Sequence, residues 1–268
     1  MQITTEFLEI GPDHRLAFQH RPAAANTPAN IPANTPANIP GFVFLAGHGS
    51  DMLGTKAEIL ADWAARSGFS FTRFDYRGHG QSSGAFLAHT ISDWTADARH
   101  IIEQVTSGPL ILVGSSLGGW IMLNLLNSCR QRIAGLIGIA AAPDFTERLI
   151  WQPLNKEQQE QMQQQGHIAL PNPYEPGGQL VYPYHLIEDG RANLLLDKPL
   201  EFDGPVILHQ GMQDEEVPWQ TALDIAAVLT SDRVEIRLDK TAGHRYSEPH
   251  QLAALVASAE QLSQQLSS

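Results

Sequence analysis

The sequence predicts an α/β fold: a mostly parallel central sheet, helices on both faces and a small cap insertion. Three observations predict it. Apolar runs of strand length alternate with helical spacing from Phe42 onward, the pattern of strand–helix–strand units. Leu110-Ile111-Leu112-Val113 runs directly into Gly114-Ser115-Ser116-Leu117-Gly118, and a helical pattern follows. The alternation then breaks between Pro143 and Asp203 and resumes at Pro205. With 268 residues, 43% of them hydrophobic, the chain can bury a sizeable core. It reads as a single domain, 1–268, carrying a cap insertion over 144–203 and a proline-rich loop over 23–40.

The elements follow in order. Ile3 to Ile10 and Arg15 to His20, parted by Gly11-Pro12-Asp13, form a hairpin. An eight-residue unit then repeats, Asn26-Thr27-Pro28-Ala29-Asn30-Ile31-Pro32-Ala33 and Asn34-Thr35-Pro36-Ala37-Asn38-Ile39-Pro40. Two prolines per copy deny it helix or ladder, so it is read as an extended surface loop. Phe42 to Ala46 is a buried strand ending in Gly47-His48-Gly49-Ser50-Asp51. Thr55 to Arg66 has helical spacing with Gly68 as its C-cap, and Phe69 to Phe74 is the next strand.

Asp75-Tyr76-Arg77-Gly78-His79-Gly80 mixes glycine with ionisable residues. It lacks a Gly-Lys-Ser/Thr ending and matches no metal-ligand spacing, so it is read as a structural loop beside the Ser116 turn. Thr90-Ile91-Ser92-Asp93 opens a helix with a capping box, and Ile133 to Ala142 is an apolar run of strand type. In the cap, the glutamine run from Glu157 to Gln165 is a solvated helix face. Tyr174, Tyr182, Tyr184 and Trp151 either line a pocket or fix the cap. Pro205 to Gly211 and Val234 to Leu238 are the last strands, and an amphipathic helix runs from Glu248 to Leu266.

The chemistry centres on Ser116. A serine in a strained strand-to-helix turn needs small residues two positions to either side, and Gly114 and Gly118 supply them. Centring the turn on Ser115 would put Val113 and Leu117 there instead, so the frame selects Ser116 as nucleophile. A histidine base needs a carboxylate to fix its tautomer. Asp214, in a turn after a strand, and His244, in the small-residue loop Thr241 to Arg245, complete the set. Glu215 and Glu216 are read as solvated neighbours, and His79, His209 and His250 lie in the wrong segments for a base.

Acyl transfer through an acyl-enzyme then needs an oxyanion hole, assigned to the backbone N–H groups of Leu117 and His48. No metal and no cofactor is required. The expected substrate is a small-molecule carboxylic ester or thioester. A serine peptidase or amidase, or a non-catalytic ligand-binding protein keeping the same residues, are the competing readings.

The net charge of −12 and the lack of any basic cluster argue against nucleic acid as a partner. No run is apolar and long enough for stable membrane insertion. The single Cys129 excludes a disulfide framework. With no signal peptide in view, a cytoplasmic setting is expected. Nothing in the sequence fixes the oligomeric state.

The order Ser116, Asp214, His244 is that of the α/β-hydrolases. The chain also resembles one family within them. Gly47 to Met52 with Gly54-Thr55-Lys56-Ala57, Arg73 to Tyr76 with Gly78 and Gly80, Val113 to Trp120, and His209 with Gly211-Met212 and Asp214 to Trp219 carry the likeness. They look like the mitochondrial palmitoyl-protein thioesterases, also described as acyl-glucuronide esterases, and their bacterial relatives. The resemblance implies Ser116, Asp214 and His244 as a triad with esterase or thioesterase activity. Three features depart from the mitochondrial members: no transit peptide, the eight-residue duplication, and a histidine at position 48.

Overall fold

A computed structural model describes residues 4–24, 39–172 and 177–267. Most of the proline-rich duplication, and Tyr174, lie outside the described residues. The strands are β1 Glu6–Gly11, β2 His14–Arg21, β3 Gly41–Leu45, β4 Phe71–Phe74, β5 Leu110–Ser115, β6 Ile133–Ile139, β7 His167–Pro171, β8 Gln179–Pro183, β9 Val206–Gly211 and β10 Val234–Asp239. The helices are α1 Thr55–Ser67, α2 Ile91–Gln104, α3 Leu117–Asn124, α4 Leu126–Cys129, α5 Lys156–Gln165, α6 Tyr184–Ala192, α7 Gln220–Val228 and α8 Pro249–Ser267.

Eight strands form one sheet in the order β1-β2-β4-β3-β5-β6-β9-β10, and β7 and β8 pair separately. β1 pairs antiparallel with β2 and β2 with β4, and from β4 to β10 every pairing is parallel. This is an α/β-hydrolase architecture. β5 is buried along its whole length between β3 and β6. Its unbroken apolar run follows from that, because a parallel sheet covered on both faces leaves no side for polar residues.

Glycines in β6 show the two layers. A Cβ on Gly135 would touch Leu262 and Leu266 of α8, whereas one on Gly138 would face Met122 of α3. Three positions apart in a strand means opposite faces. α1 joins α8 through the Trp63 indole N–H, which donates to Glu260 at 3.0 Å. α1 stops where Gly68 turns left-handed at φ 78° and returns its N–H to Ala64. α2 begins with the two-way cap between Thr90 and Asp93.

The apolar run Ile133 to Ala142 is not all strand. Pairing ends at Ile139, Ala140 takes φ 45°, and Ala142 donates its N–H to the carbonyl of Ser116 at 3.1 Å. Those last residues are apolar because they pack under the Ser116 turn, and hydrophobicity alone does not separate a buried strand from a buried loop.

Between β6 and β9 the chain forms a π-helical turn at Thr146–Trp151, α5, the β7–β8 hairpin and α6. Asp144 fastens this segment at its base by accepting the N–H groups of Leu195 and Leu196 at 2.9 and 3.0 Å. Met162 is the one buried residue of α5, so the glutamines do face solvent. Trp151 meets Tyr184 at 5.6 Å between ring centroids, with the Arg191 guanidinium 4.7 Å over Trp151. Those rings hold the segment together rather than lining a cavity. Tyr182, by contrast, lines the cleft over Ser116.

Candidate active site

β5 delivers the chain to Ser116, whose φ of 53° and ψ of −117° lie outside the regions an L-residue favours. The strain is held by packing. A Cβ on Gly114 would come within 2.5 Å of the carbonyl oxygen of Gly118, and one on Gly118 would overlap the carbonyl of Leu45. A Cβ on Gly119 would overlap Ala141. Three glycines let strand, helix and neighbouring loop approach this closely, one more than the Gly-x-Ser-x-Gly pattern names.

His244 and Asp214 arrive from the far side of the sheet, on the loops after β10 and β9. His244 Nδ1 lies 2.9 Å from Asp214 Oδ2, and His244 Nε2 lies 3.1 Å from Ser116 Oγ. A carboxylate only accepts, so Nδ1 carries the proton and Nε2 is left to accept the Ser116 hydroxyl. The Asp214 side chain is fully buried. Its Oδ1 accepts the N–H groups of Glu216 and Val217 at 3.0 and 2.8 Å. Oδ2 also accepts Gln210 Nε2 at 2.9 Å.

Glu215 is exposed, but Glu216 is half-buried with Oε2 3.9 Å from His244 Nε2. It therefore faces His244 instead of standing as a solvated neighbour. His250 sits on the surface with Asp239. His209 is buried behind β9, its Nε2 2.7 Å from Ser258 Oγ and its Nδ1 3.3 Å from Tyr246 Oη. Neither reaches Ser116.

The loop after β3 lies against Ser116, with a Cβ on Gly47 placed 3.5 Å from Ser116 Cβ. The Asp75 carboxylate holds this loop from outside by accepting Met52 N–H at 2.7 Å and Gln81 N–H at 2.8 Å. Burial raises the Asp75 pKa, opposed by those hydrogen bonds. His79 holds it too: Gly49 N–H donates to His79 Nε2 at 3.2 Å, which leaves Nδ1–H for the Arg77 carbonyl at 3.3 Å. Burial pushes His79 down to about 4, matching that neutral tautomer.

Sequence reasoning placed Asp75 and His79 in a packing loop without seeing which atoms they hold. Leu117 opens α3, so its N–H has no partner within the helix. The His48 ring is enclosed by Phe86, Trp94, Phe145 and Tyr182, with Tyr182 stacked at 5.8 Å. That desolvation drives its pKa down to about 3.

Ser116, His244 and His48 open onto one cleft of about 710 Å³, walled by Phe86, Phe145, Leu149, Leu170, Leu180 and Tyr182. Among the described residues no cluster of His, Cys, Asp and Glu has the geometry to hold a metal ion.

A family model described as serine aminopeptidase, S33, matches residues 40–171. The mitochondrial palmitoyl-protein thioesterase ABHD10 of Mus musculus is 37% identical over 227 residues, which span 85% of this chain and 76% of that protein. The chain belongs to the ABHD10 family of α/β-hydrolases. The same relative from Homo sapiens is 34% identical over 85% of the chain and 74% of its own length.

Family membership extends to the structure. The α/β-hydrolase domain-containing protein 10 from mouse superposes with a TM-score of 0.88 at 33% identity, covering 98% of this chain and 100% of that one. A hydrolase structure from Agrobacterium vitis S4 gives 0.88 at 33% identity, covering 98% of this chain and 99% of that one. As a member of the ABHD10 family the chain is a hydrolase of the esterase or thioesterase type. Among the described residues no helix is long and apolar enough to cross a membrane.

Proposed function

We propose that this protein is a serine hydrolase that cleaves small-molecule carboxylic esters or thioesters through an acyl-enzyme on Ser116. The observation that carries the reading is the continuous line from Asp214 Oδ2 to His244 at 2.9 Å and on to Ser116 Oγ at 3.1 Å. His244 Nε2 takes the hydroxyl proton as Ser116 Oγ attacks the acyl carbonyl, and Asp214 stabilises the imidazolium that forms. The tetrahedral oxyanion is received by the N–H groups of Leu117 and His48. His244 then returns the proton to the departing alkoxide or thiolate. Water, deprotonated by the same nitrogen, releases the acid from Ser116. No metal or cofactor enters the cycle.

The cap over 144–203 forms the acyl side of the cleft through Leu149, Leu170, Leu180 and Tyr182. The named relatives act on palmitoylated proteins, and a cleft of about 710 Å³ has room for an acyl group of that order. A reducing aqueous compartment of cytoplasmic type suits a chain whose one cysteine, Cys129, is buried and unpaired.

The experiment is hydrolysis of p-nitrophenyl acyl esters from acetyl to palmitoyl, beside the matching acyl-CoA thioesters, by wild type, Ser116→Ala and Ser115→Ala. Activity lost in Ser116→Ala and kept in Ser115→Ala is the expected result. Turnover surviving in Ser116→Ala overturns the reading. The serine aminopeptidase description of the matching family model favours a second reading, amide cleavage by the same residues. Amino-acid anilides hydrolysed faster than the matched esters would establish it.

A further inference from the structure

From the buried interior of β9 we infer that Gln210 is a positioning residue for catalysis, acting on His244 through Asp214. The inference rests on the assignment of Asp214 and His244 above. Gln210 is 1% exposed in a strand that is otherwise mostly apolar. A buried side-chain amide is costly unless its hydrogen bonds are met. Gln210 Nε2 meets two acceptors, Asp214 Oδ2 at 2.9 Å and the Val217 carbonyl at 3.0 Å. Neither partner can donate, so the amide nitrogen, not its oxygen, must face them.

Asp214 Oδ2 is the same oxygen that receives His244 Nδ1–H. Gln210 and His244 therefore converge on one atom, while the amides of Glu216 and Val217 hold the other. The two backbone donors alone leave the carboxylate free to rotate about them. Gln210 supplies the donor that fixes Oδ2, from the rigid sheet instead of from the loop that carries Asp214. By also gripping the Val217 carbonyl it locks the turn that carries Asp214 to the strand before it.

Replacement therefore affects the chemical step through the orientation of His244, more than it affects substrate binding. His209, one residue earlier, points to the opposite face and bonds Ser258 and Tyr246, so this role belongs to Gln210 alone of the two.

The test uses the full-length protein with p-nitrophenyl butyrate. Gln210→Met keeps length and volume and removes both donors; Gln210→His keeps a ring N–H. In Gln210→Met, kcat should fall about ten- to a hundred-fold, as expected for losing one hydrogen bond to a charged group, with KM nearly unchanged. The pH–rate profile should move with it, and Gln210→His should recover part of kcat.

A folded Gln210→Met with wild-type kcat and pH profile overturns the inference. Equal losses in Gln210→Met and Gln210→His also overturn it, because only packing would then matter. Wild type gives an answer even if Gln210→Met fails to fold. The side-chain amide protons of Gln210 and the Nδ1 proton of His244 share one acceptor, so they should show a mutual nuclear Overhauser effect. Its absence overturns the inference. Ser116→Ala run alongside separates the two levels: a dead Ser116→Ala with an unaffected Gln210→Met removes only the role of Gln210.

Discussion

Asp75, on the loop after β4, accepts the N–H of Met52, on the loop after β3, at 2.7 Å through one oxygen and that of Gln81 at 2.8 Å through the other. One carboxylate thus joins the loop beside Ser116 to its neighbour. Asn has a single acceptor oxygen, so Asp75→Asn forces an amide nitrogen against a backbone N–H. Urea denaturation should show a loss of about 1–3 kcal/mol. Ester hydrolysis should fall as well, if the His48 amide receives the oxyanion as proposed. Unchanged stability and rate would show that the loop is held elsewhere.

Three buried histidines on separate segments give stability a pH dependence. His79 and His209 are pushed down to about 4 and His48 to about 3, chiefly by burial, from an ordinary 6.5. Their folded pKa values lie below the unfolded ones, so as pH falls below 6.5 the unfolded chain takes up protons that the folded chain refuses. Stability present above about pH 6.5 should decline as pH falls toward 4. Each pKa unit of depression corresponds to about 1.4 kcal/mol before solvent screening. Asp75, Asp97 and Asp144 are raised by burial and act with the opposite sign nearer the carboxylate range. The loss should therefore be clearest between pH 6.5 and 5. Urea midpoints that stay level across that interval would refute it.

Arg77 and Asp97 form a second pair with a sharp expectation. Asp97 has a fully buried side chain and accepts Arg77 Nη2 at 2.6 Å, Nε at 2.8 Å and the backbone N–H at 2.8 Å. Asp97→Ala leaves a guanidinium that is 16% exposed with only the partial support of Asp93. Thermal or urea unfolding should show a loss of about 3–5 kcal/mol. Replacing both residues by Met and Leu should recover most of it, and a double variant as unstable as Asp97→Ala would contradict this account.

Gly118→Ala tests the steric basis of the turn. Its added methyl would overlap the Leu45 carbonyl, a backbone atom that cannot swing away. The variant should lose several kcal/mol of stability, as overpacking does, and essentially all activity. Gly166→Ala is the contrasting control: it meets nothing within 4 Å but sits at φ 77°. It should cost about 1–2 kcal/mol through backbone strain alone. Circular dichroism melts of the two separate steric overlap from strain.

The parallel sheet, the Ser116 turn and the loops bearing Asp214 and His244 were legible because each has a local signature. Gly114 and Gly118 flank the serine, and strand-length apolar runs precede all three loops. Gln210, Glu216 and His79 were not legible in their roles, because each acts across space on an atom that sequence spacing does not mark. The amide of Gln210 matters only once β9 and the Asp214 turn fold onto each other. His79 matters only where Gly49 reaches it from another loop. The end of β6 is hidden in the sequence for a related reason: Ala140 to Ala142 are apolar because of the Ser116 turn above them, a contact made by tertiary packing.

The sheet order has a consequence for how the protein is made. Ser116 stands just after β5, near the middle of the chain, and the imidazole bonded to it comes 128 residues later, after the last strand of the sheet in chain order. On the proposed reading, a growing polypeptide on the ribosome carries its nucleophile for roughly half of synthesis with no imidazole to activate it. On that reading the site is complete only once the loop after β10 is in place, so fragments cut short before His244 should not hydrolyse p-nitrophenyl esters.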